Sequence, residues 1–213
     1  MWSDLLEPWQ ACFELAWEAY CDDCVPIGAV VTNADWKILS RGRNRVYPRR
    51  VWEQRPSPGV EIAHAELEAL QQLDYTGLDQ HSCILYTTTE PCPMCMGAFY
   101  MSGVRTLHYA ARDPFGGSVN MLGTTWYLSR KPIKVLGPDP VLESAIVALF
   151  VEQELRFHAG KFPEGLFWEM YSEAIPEGIG LGRCLYEHSE LESMRKSGMA
   201  ACDGYDRLAL LVI

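Results

Sequence analysis

The sequence predicts an α/β layer fold organised around a metal centre, and three observations carry the prediction. Short apolar runs at 27–32, 82–88 and 104–110 read as strands. Stretches with apolar residues every three or four positions alternate with them and read as helices. His64-Ala65-Glu66 and Pro91-Cys92-Pro93-Met94-Cys95 place an imidazole, a carboxylate and two thiols where strands and helices meet.

Residues 4–21 read as an amphipathic helix. Leu5, Leu6, Trp9, Phe13, Ala16, Trp17 and Tyr20 lie along one side, with Glu7, Glu14 and Glu18 between them. Asp4 sits near its start, where a carboxylate favours the helix dipole. Pro26 ends helical continuation, and 27–32 forms a strand. Asn33-Ala34-Asp35 is turn chemistry, so 36–46 returns as the second arm of a hairpin. Residues 47–60 hold three prolines and a glycine and read as a loop beside the site, either substrate-selecting or a plain surface insertion.

A helix is expected over 61–73, with His64 and Glu66 in its first turn, followed by a strand at 82–88. A short helix over 92–101 is introduced by Pro91 and Pro93, which helix starts tolerate. Both ligand groups then sit at helix N-termini, whose partial positive charge favours thiolate over thiol. A strand at 104–110, a short one at 133–136 and a helix at 142–157 complete the core. Beyond it, 166–174 and 185–195 read as helices. Residues 1–160 are taken as one zinc-binding domain and 161–213 as a helical extension packed on the core or on a dimer interface.

The net charge is −10 over 213 residues, and 48% of the residues are hydrophobic. That is enough apolar material for a sizeable core, without a run of membrane-spanning length. Acidity argues against a nucleic-acid grip, which leaves a basic footprint. One local exception exists: Lys37, Arg41, Arg43, Arg45, Arg49, Arg50 and Arg55 face a lone Glu53. The strip is either a solvated strand and loop or an anion site. Met1-Trp2-Ser3-Asp4 lacks the basic region of a secretory signal, so a cytoplasmic location with eight reduced cysteines is expected.

His64, Cys92 and Cys95 are three good ligands for Zn²⁺, and three is the count that leaves a fourth position for water. Glu66, two residues from the histidine, is placed to carry that water's proton. Competing readings are a core histidine with two buried thiols, or a closed four-cysteine site with Cys21 and Cys24. His81, His108 and His158 carry no assigned role.

H-x-E followed by P-C-x-x-C resembles the zinc deaminase signature. Together with Gly42-Arg43-Asn44, Thr89-Glu90-Pro91 and Ala111-Arg112-Asp113-Pro114, it makes roughly residues 8–158 similar to the cytidine deaminase superfamily, in the branch of guanine and tRNA adenosine deaminases. The resemblance implies a three-layer α/β/α fold with a mixed five-stranded sheet, a Zn²⁺ cofactor and Glu66 as the catalytic residue. It implies substrate contacts from Asn44, Ala65, Ala29 and Pro91, and a homodimer. Stacking on the base falls to one of Trp52, Tyr86, Phe99, Tyr100 or Phe115. A free base or nucleoside, aminopurine above all, is the expected small-molecule substrate. A tRNA adenosine is the runner-up, a cytosine-type base comes third, and a non-catalytic zinc module is the contrasting class.

Overall fold

The computed structural model describes residues 1–46 and 61–212. Its sheet has five strands, β1 (Gly28–Thr32), β2 (Ile38–Arg43), β3 (Ile84–Thr89), β4 (Thr106–Ala111) and β5 (Lys134–Leu136), in the order β2-β1-β3-β4-β5. The first three are antiparallel neighbours, whereas β3, β4 and β5 run parallel. The sheet is therefore mixed, and its carboxyl-terminal edge at β3 and β4 is where an α/β sheet gathers chemistry.

Alternation along the strands sorts the helices into two layers. Ala29, Val31 and Leu85 face α2 (Ala65–Gln71) and α3 (Pro93–Ser102), packing with Ala69 and Phe99. Val30 and Tyr86 face the other way, onto Ala11 and Cys12 of α1 (Glu7–Cys21). On that side α4 (Pro140–Phe157) covers β4. The layering is α/β/α.

Four more helices follow: α5 (Leu166–Ala174), α6 (Pro176–Glu187), α7 (Glu190–Lys196) and α8 (Ala201–Val212). Trp168, Ile179, Leu191 and Leu208 join the cluster of Phe13, Trp17, Ile146 and Leu149, so these helices form a further layer over α1 and α4. The contact with α4 is close because Gly178 and Gly182 lie on one helical face. A Cβ on Gly178 would sit 2.8 Å from Val147 Cβ, and one on Gly182 would sit 2.5 Å from Val151 Cβ and 2.8 Å from the Ala148 carbonyl. Gly182→Ala is expected to lower stability by about 1–3 kcal/mol through overpacking, despite alanine's better helix propensity. Urea unfolding checks it.

Several sequence expectations need correction. The first helix begins at Glu7, with Pro8 in its first turn, and Asp4 lies in a separate 3-10 turn, Trp2–Asp4. Helix α2 starts at Ala65 because the Ala63 carbonyl is still held by the Arg45 amide at 2.9 Å, which keeps the chain extended as far as His64. The helix expected over 185–195 is two helices, broken at Ser189 with φ 53°, so that Leu185 and Leu191 both reach the core. Helix α6 starts nine residues earlier than expected, at Pro176, through a glycine-rich stretch, and α8 was not anticipated. The loop expected over 47–60 lies outside the described residues.

Candidate metal centre

The site is built from two helix starts. His64 is the N-cap of α2, with extended backbone at φ −81° and ψ 150°, and Cys92 is the N-cap of α3 at φ −67° and ψ 171°. Pro93 is the first residue of α3, and its fixed φ suits that position. One turn on, Cys95 points the same way. Cys92 Sγ and Cys95 Sγ each lie 3.6 Å from His64 Nδ1. The three ligand atoms fall within 4.8 Å of one another, and no other group of three His, Cys, Asp or Glu residues converges so among the described residues. The Cys21–Cys24 pair does not join them.

The electrostatics favour a metal cation. Cys92 is held down to about 4, mainly because the Cys95 thiol donates to it and His64 adds a second bond. Cys95 is pushed up for the matching reason and by burial. The His64 imidazole is raised by the Cys92 sulfur. The protons that sulfur and imidazole share here are the ones a divalent ion displaces. The His64 ring is also hydrogen-bonded to the Glu61 backbone, the kind of second contact that orients a ligating imidazole.

Glu66 is 3% exposed. Its Oε1 accepts from Thr87 Oγ1 at 3.3 Å, and its Oε2 is buried with no hydrogen-bond partner. Burial raises its pKa. A buried carboxylate oxygen without a partner is costly, and it is satisfied once a proton-bearing ligand occupies the space. Two soft sulfurs and one imidazole fit Zn²⁺ and leave a fourth position open, beside which this oxygen lies.

The other sequence-predicted residues are placed as follows. Ala65 is the first residue of α2, where backbone N–H groups have no intrahelical acceptor. Ala29 lies inside β1, flanked by Gly42 and Thr87. Asn44 is buried, its amide donating to the Ile27 carbonyl at 2.9 Å and its Oδ1 accepting from Val46 N at 2.7 Å. The Pro91 carbonyl accepts from Ser118 N at 2.9 Å.

Of the aromatic candidates, Tyr86 faces the α1 side of the sheet, opposite α2. Phe99 and Tyr100 are buried on α3, Phe115 is exposed, and Trp52 lies outside the described residues. Among the described residues of the basic strip, Arg41 pairs with Glu14, Arg43 with Asp22 and Arg45 with Glu68. Arg49, Arg50 and Arg55 lie outside the described residues.

Two contributors escaped the sequence reading. Thr87 supports Glu66, and the run Thr87-Thr88-Thr89 in an otherwise buried strand was the available signal. Glu90 clamps the loop after β4, accepting from Val119 N at 3.2 Å and Asp113 N at 3.4 Å. Gly117 lies against it, leaving 2.4 Å between an added Cβ and Glu90 Cδ.

Residues 4–111 match the cytidine and deoxycytidylate deaminase zinc-binding region. The chain is 33% identical over 149 residues to a probable cytosine deaminase of Schizosaccharomyces pombe, covering 68% of this chain and 80% of that one. It is 37% identical over 97 residues to a tRNA-specific adenosine deaminase of Agrobacterium fabrum, covering 46% and 59%. Among solved structures, a guanine deaminase from Nitrosomonas europaea superposes with a TM-score of 0.50 at 30% identity, covering 67% and 80%. The match spans only 50–59% of the length of several curated relatives, and 17% of a tRNA(Ile)-lysidine synthase of Deinococcus radiodurans.

Proposed function

The chain belongs to the cytidine and deoxycytidylate deaminase zinc-binding family, and from that premise we propose that it is a zinc-dependent hydrolytic deaminase of a free nucleobase or nucleoside, with an aminopurine favoured. One observation carries the reading. Three metal donors converge beside a buried carboxylate whose Oε2 lacks a partner. His64, Cys92 and Cys95 would hold the zinc, which would supply the Lewis acidity that brings the pKa of a water from 15.7 to roughly 7.

Glu66 takes the proton of the attacking water and then passes protons to the ring nitrogen and to the departing amine, so that ammonia leaves. Thr87 holds the other carboxylate oxygen and fixes its orientation. Ala65 offers its backbone N–H to the base. Asn44, held by its bonds to Ile27 and Val46, directs its remaining amide group to the substrate, while Ala29 and Pro91 shape the pocket from the backbone. A closed structural zinc would need a fourth protein ligand, and none converges among the described residues.

Helix α3 supports a homodimer. It carries no charged residue, yet Met101 is 64% exposed, and Trp126 and Tyr127 in the segment between β4 and β5 are exposed as well, with the Tyr127 ring tilted against Tyr100 of α3 at 5.5 Å. No helix of the described residues is long and apolar enough to cross a membrane. A thiolate pair that must stay reduced to bind metal suits the cytoplasm.

A tRNA adenosine is the second reading, supported by Ala111-Arg112-Asp113-Pro114 and by the Agrobacterium relative. Ammonia release across free bases, nucleosides, nucleotides and a tRNA anticodon stem-loop decides between them. Turnover of a free base with no salt-sensitive binding to the stem-loop is the expected result; tight, salt-sensitive stem-loop binding with inert free bases reverses the ranking.

A further inference from the structure

Strand β2 and helix α2 meet backbone to backbone. A Cβ on Gly42 would lie 2.2 Å from the Ala65 carbonyl oxygen and 2.4 Å from the Ala69 amide nitrogen, so a glycine is what lets the strand lie against the start of the helix. The Ser40 hydroxyl donates to the Ala69 carbonyl at 2.7 Å across the same contact. The metal ligand His64 caps this helix, and Asn44 follows directly on the end of this strand.

Glu68 lies one turn along α2 from His64, its amide donating to the His64 carbonyl at 3.0 Å. Its carboxylate reaches over to β2 and holds the chain on both sides of Asn44. Oε2 accepts from the Arg43 amide at 2.8 Å, and Oε1 accepts from Arg45 Nε at 3.0 Å. Hydrogen bonds to an ionised acceptor are the stronger kind. Between these two bonds, Asn44 donates its amide to Ile27 and accepts from Val46 through Oδ1. The Arg45 amide closes the same segment onto the Ala63 carbonyl, next to His64. Two routes thus run from Asn44 to the histidine ligand, one through Ala63 and one through Glu68. A carboxylate in the first turn of a helix also meets the helix dipole, but that effect does not call for both oxygens to be turned onto β2.

We propose that Glu68 is a positioning residue: by binding the backbone before Asn44 and the side chain after it, it fixes the distance from Asn44 to the metal ligands and so sets how tightly the base is bound. The proposal deepens the deaminase reading and rests on it for Asn44 as a substrate contact. A misplacement of about 1 Å in an oriented contact is costly. Glu68 touches no reacting atom, so its loss acts on binding, through Asn44.

The test measures ammonia release by the zinc-loaded full chain from guanine, adenine, cytosine and their ribosides, and carries the fastest of these through the variants. Glu68→Ala is expected to raise KM by about tenfold or more, with kcat within about twofold of native and the zinc retained. Glu68→Gln, which can still accept from the Arg43 amide but not from Arg45, should give a smaller rise. On an Asn44→Ala background, Glu68→Ala should raise KM no further, because both changes act through one contact. Amide hydrogen exchange gives a readout independent of turnover: the Asn44 amide should exchange about tenfold faster in Glu68→Ala, while that of Tyr86 in β3 keeps its rate. If Glu68→Ala does not fold, Glu68→Gln carries the same measurements. Additive effects on KM, a fall in kcat with KM unchanged, or unaltered exchange at Asn44 overturns the proposal. If exchange at Asn44 quickens as expected but the native chain releases ammonia from none of these compounds, the hold of Glu68 on Asn44 stands and the deaminase reading falls.

Discussion

Glu66→Gln is expected to lower the rate of ammonia release by about 10²- to 10⁴-fold while leaving one zinc per chain. Glutamine keeps the volume of the side chain and can still meet Thr87, but it cannot take a proton from water and return it. The native carboxylate is buried, has one oxygen free of hydrogen bonds, and is raised in pKa by desolvation. As a structural group it is a burden, which is what the proposed proton-exchanging role predicts. A folded Glu66→Gln protein melts at or above the native temperature, because an amide costs less to bury than a carboxylate. Steady-state ammonia assays, zinc by atomic emission and thermal melting provide the three readouts. Undiminished turnover would remove Glu66 from the mechanism.

Cys95→Ser is expected to release the zinc and abolish turnover. Cys95 is fully buried on the inner side of α3 and lies 3.6 Å from His64 Nδ1, so no exposed group can swing in to replace it. A serine hydroxyl is shorter and harder than a thiolate and does not ionise near neutral pH. Zinc affinity should fall by more than about 100-fold, beyond what loss of an outer-shell partner costs. Chelation of the native protein should reproduce the loss of activity and lower the melting temperature, since a ligand bound only by the folded state stabilises it. Added zinc should restore the native chain but not the variant. Full zinc occupancy in Cys95→Ser would mean that the metal is held elsewhere.

The metal centre was legible in the sequence because each half is local. His64-Ala65-Glu66 and Cys92-Pro93-Met94-Cys95 carry their own geometry in a single helix turn, so spacing alone aims the side chains. The strands were legible for a similar reason: residues 28–32 and 85–88 are buried at every position, on both faces of the sheet, although the second strand begins at Ile84, two residues later than expected. What the sequence concealed was long-range. Nothing in Glu90 announces that it gathers the amides of Asp113 and Val119, and nothing in Tyr171 announces its hydrogen bond to Asp113.

The C-terminal helices were misread for two physical reasons. Gly178, Gly180 and Gly182 carry a propensity cost of about 1 kcal/mol each, which hid α6. Yet two of them are the contact points that let α6 lie against α4. In α8, Leu208 to Val212 is a continuous apolar run, and its period emerges only where Tyr205, Leu208 and Ala209 turn inward.

The bond between the Arg45 amide and the Ala63 carbonyl, reinforced by the ion pair from Arg45 to Glu68, joins the chain on either side of residues 47–60. Such a staple separates the placement of His64 from the length of chain between its two ends. Doubling the length of a flexible insert costs only about 0.6 kcal/mol of closure entropy, and the strain of any exchange stops at the staple before it reaches His64. The approach of the chain to His64 is therefore set by those two anchor points themselves.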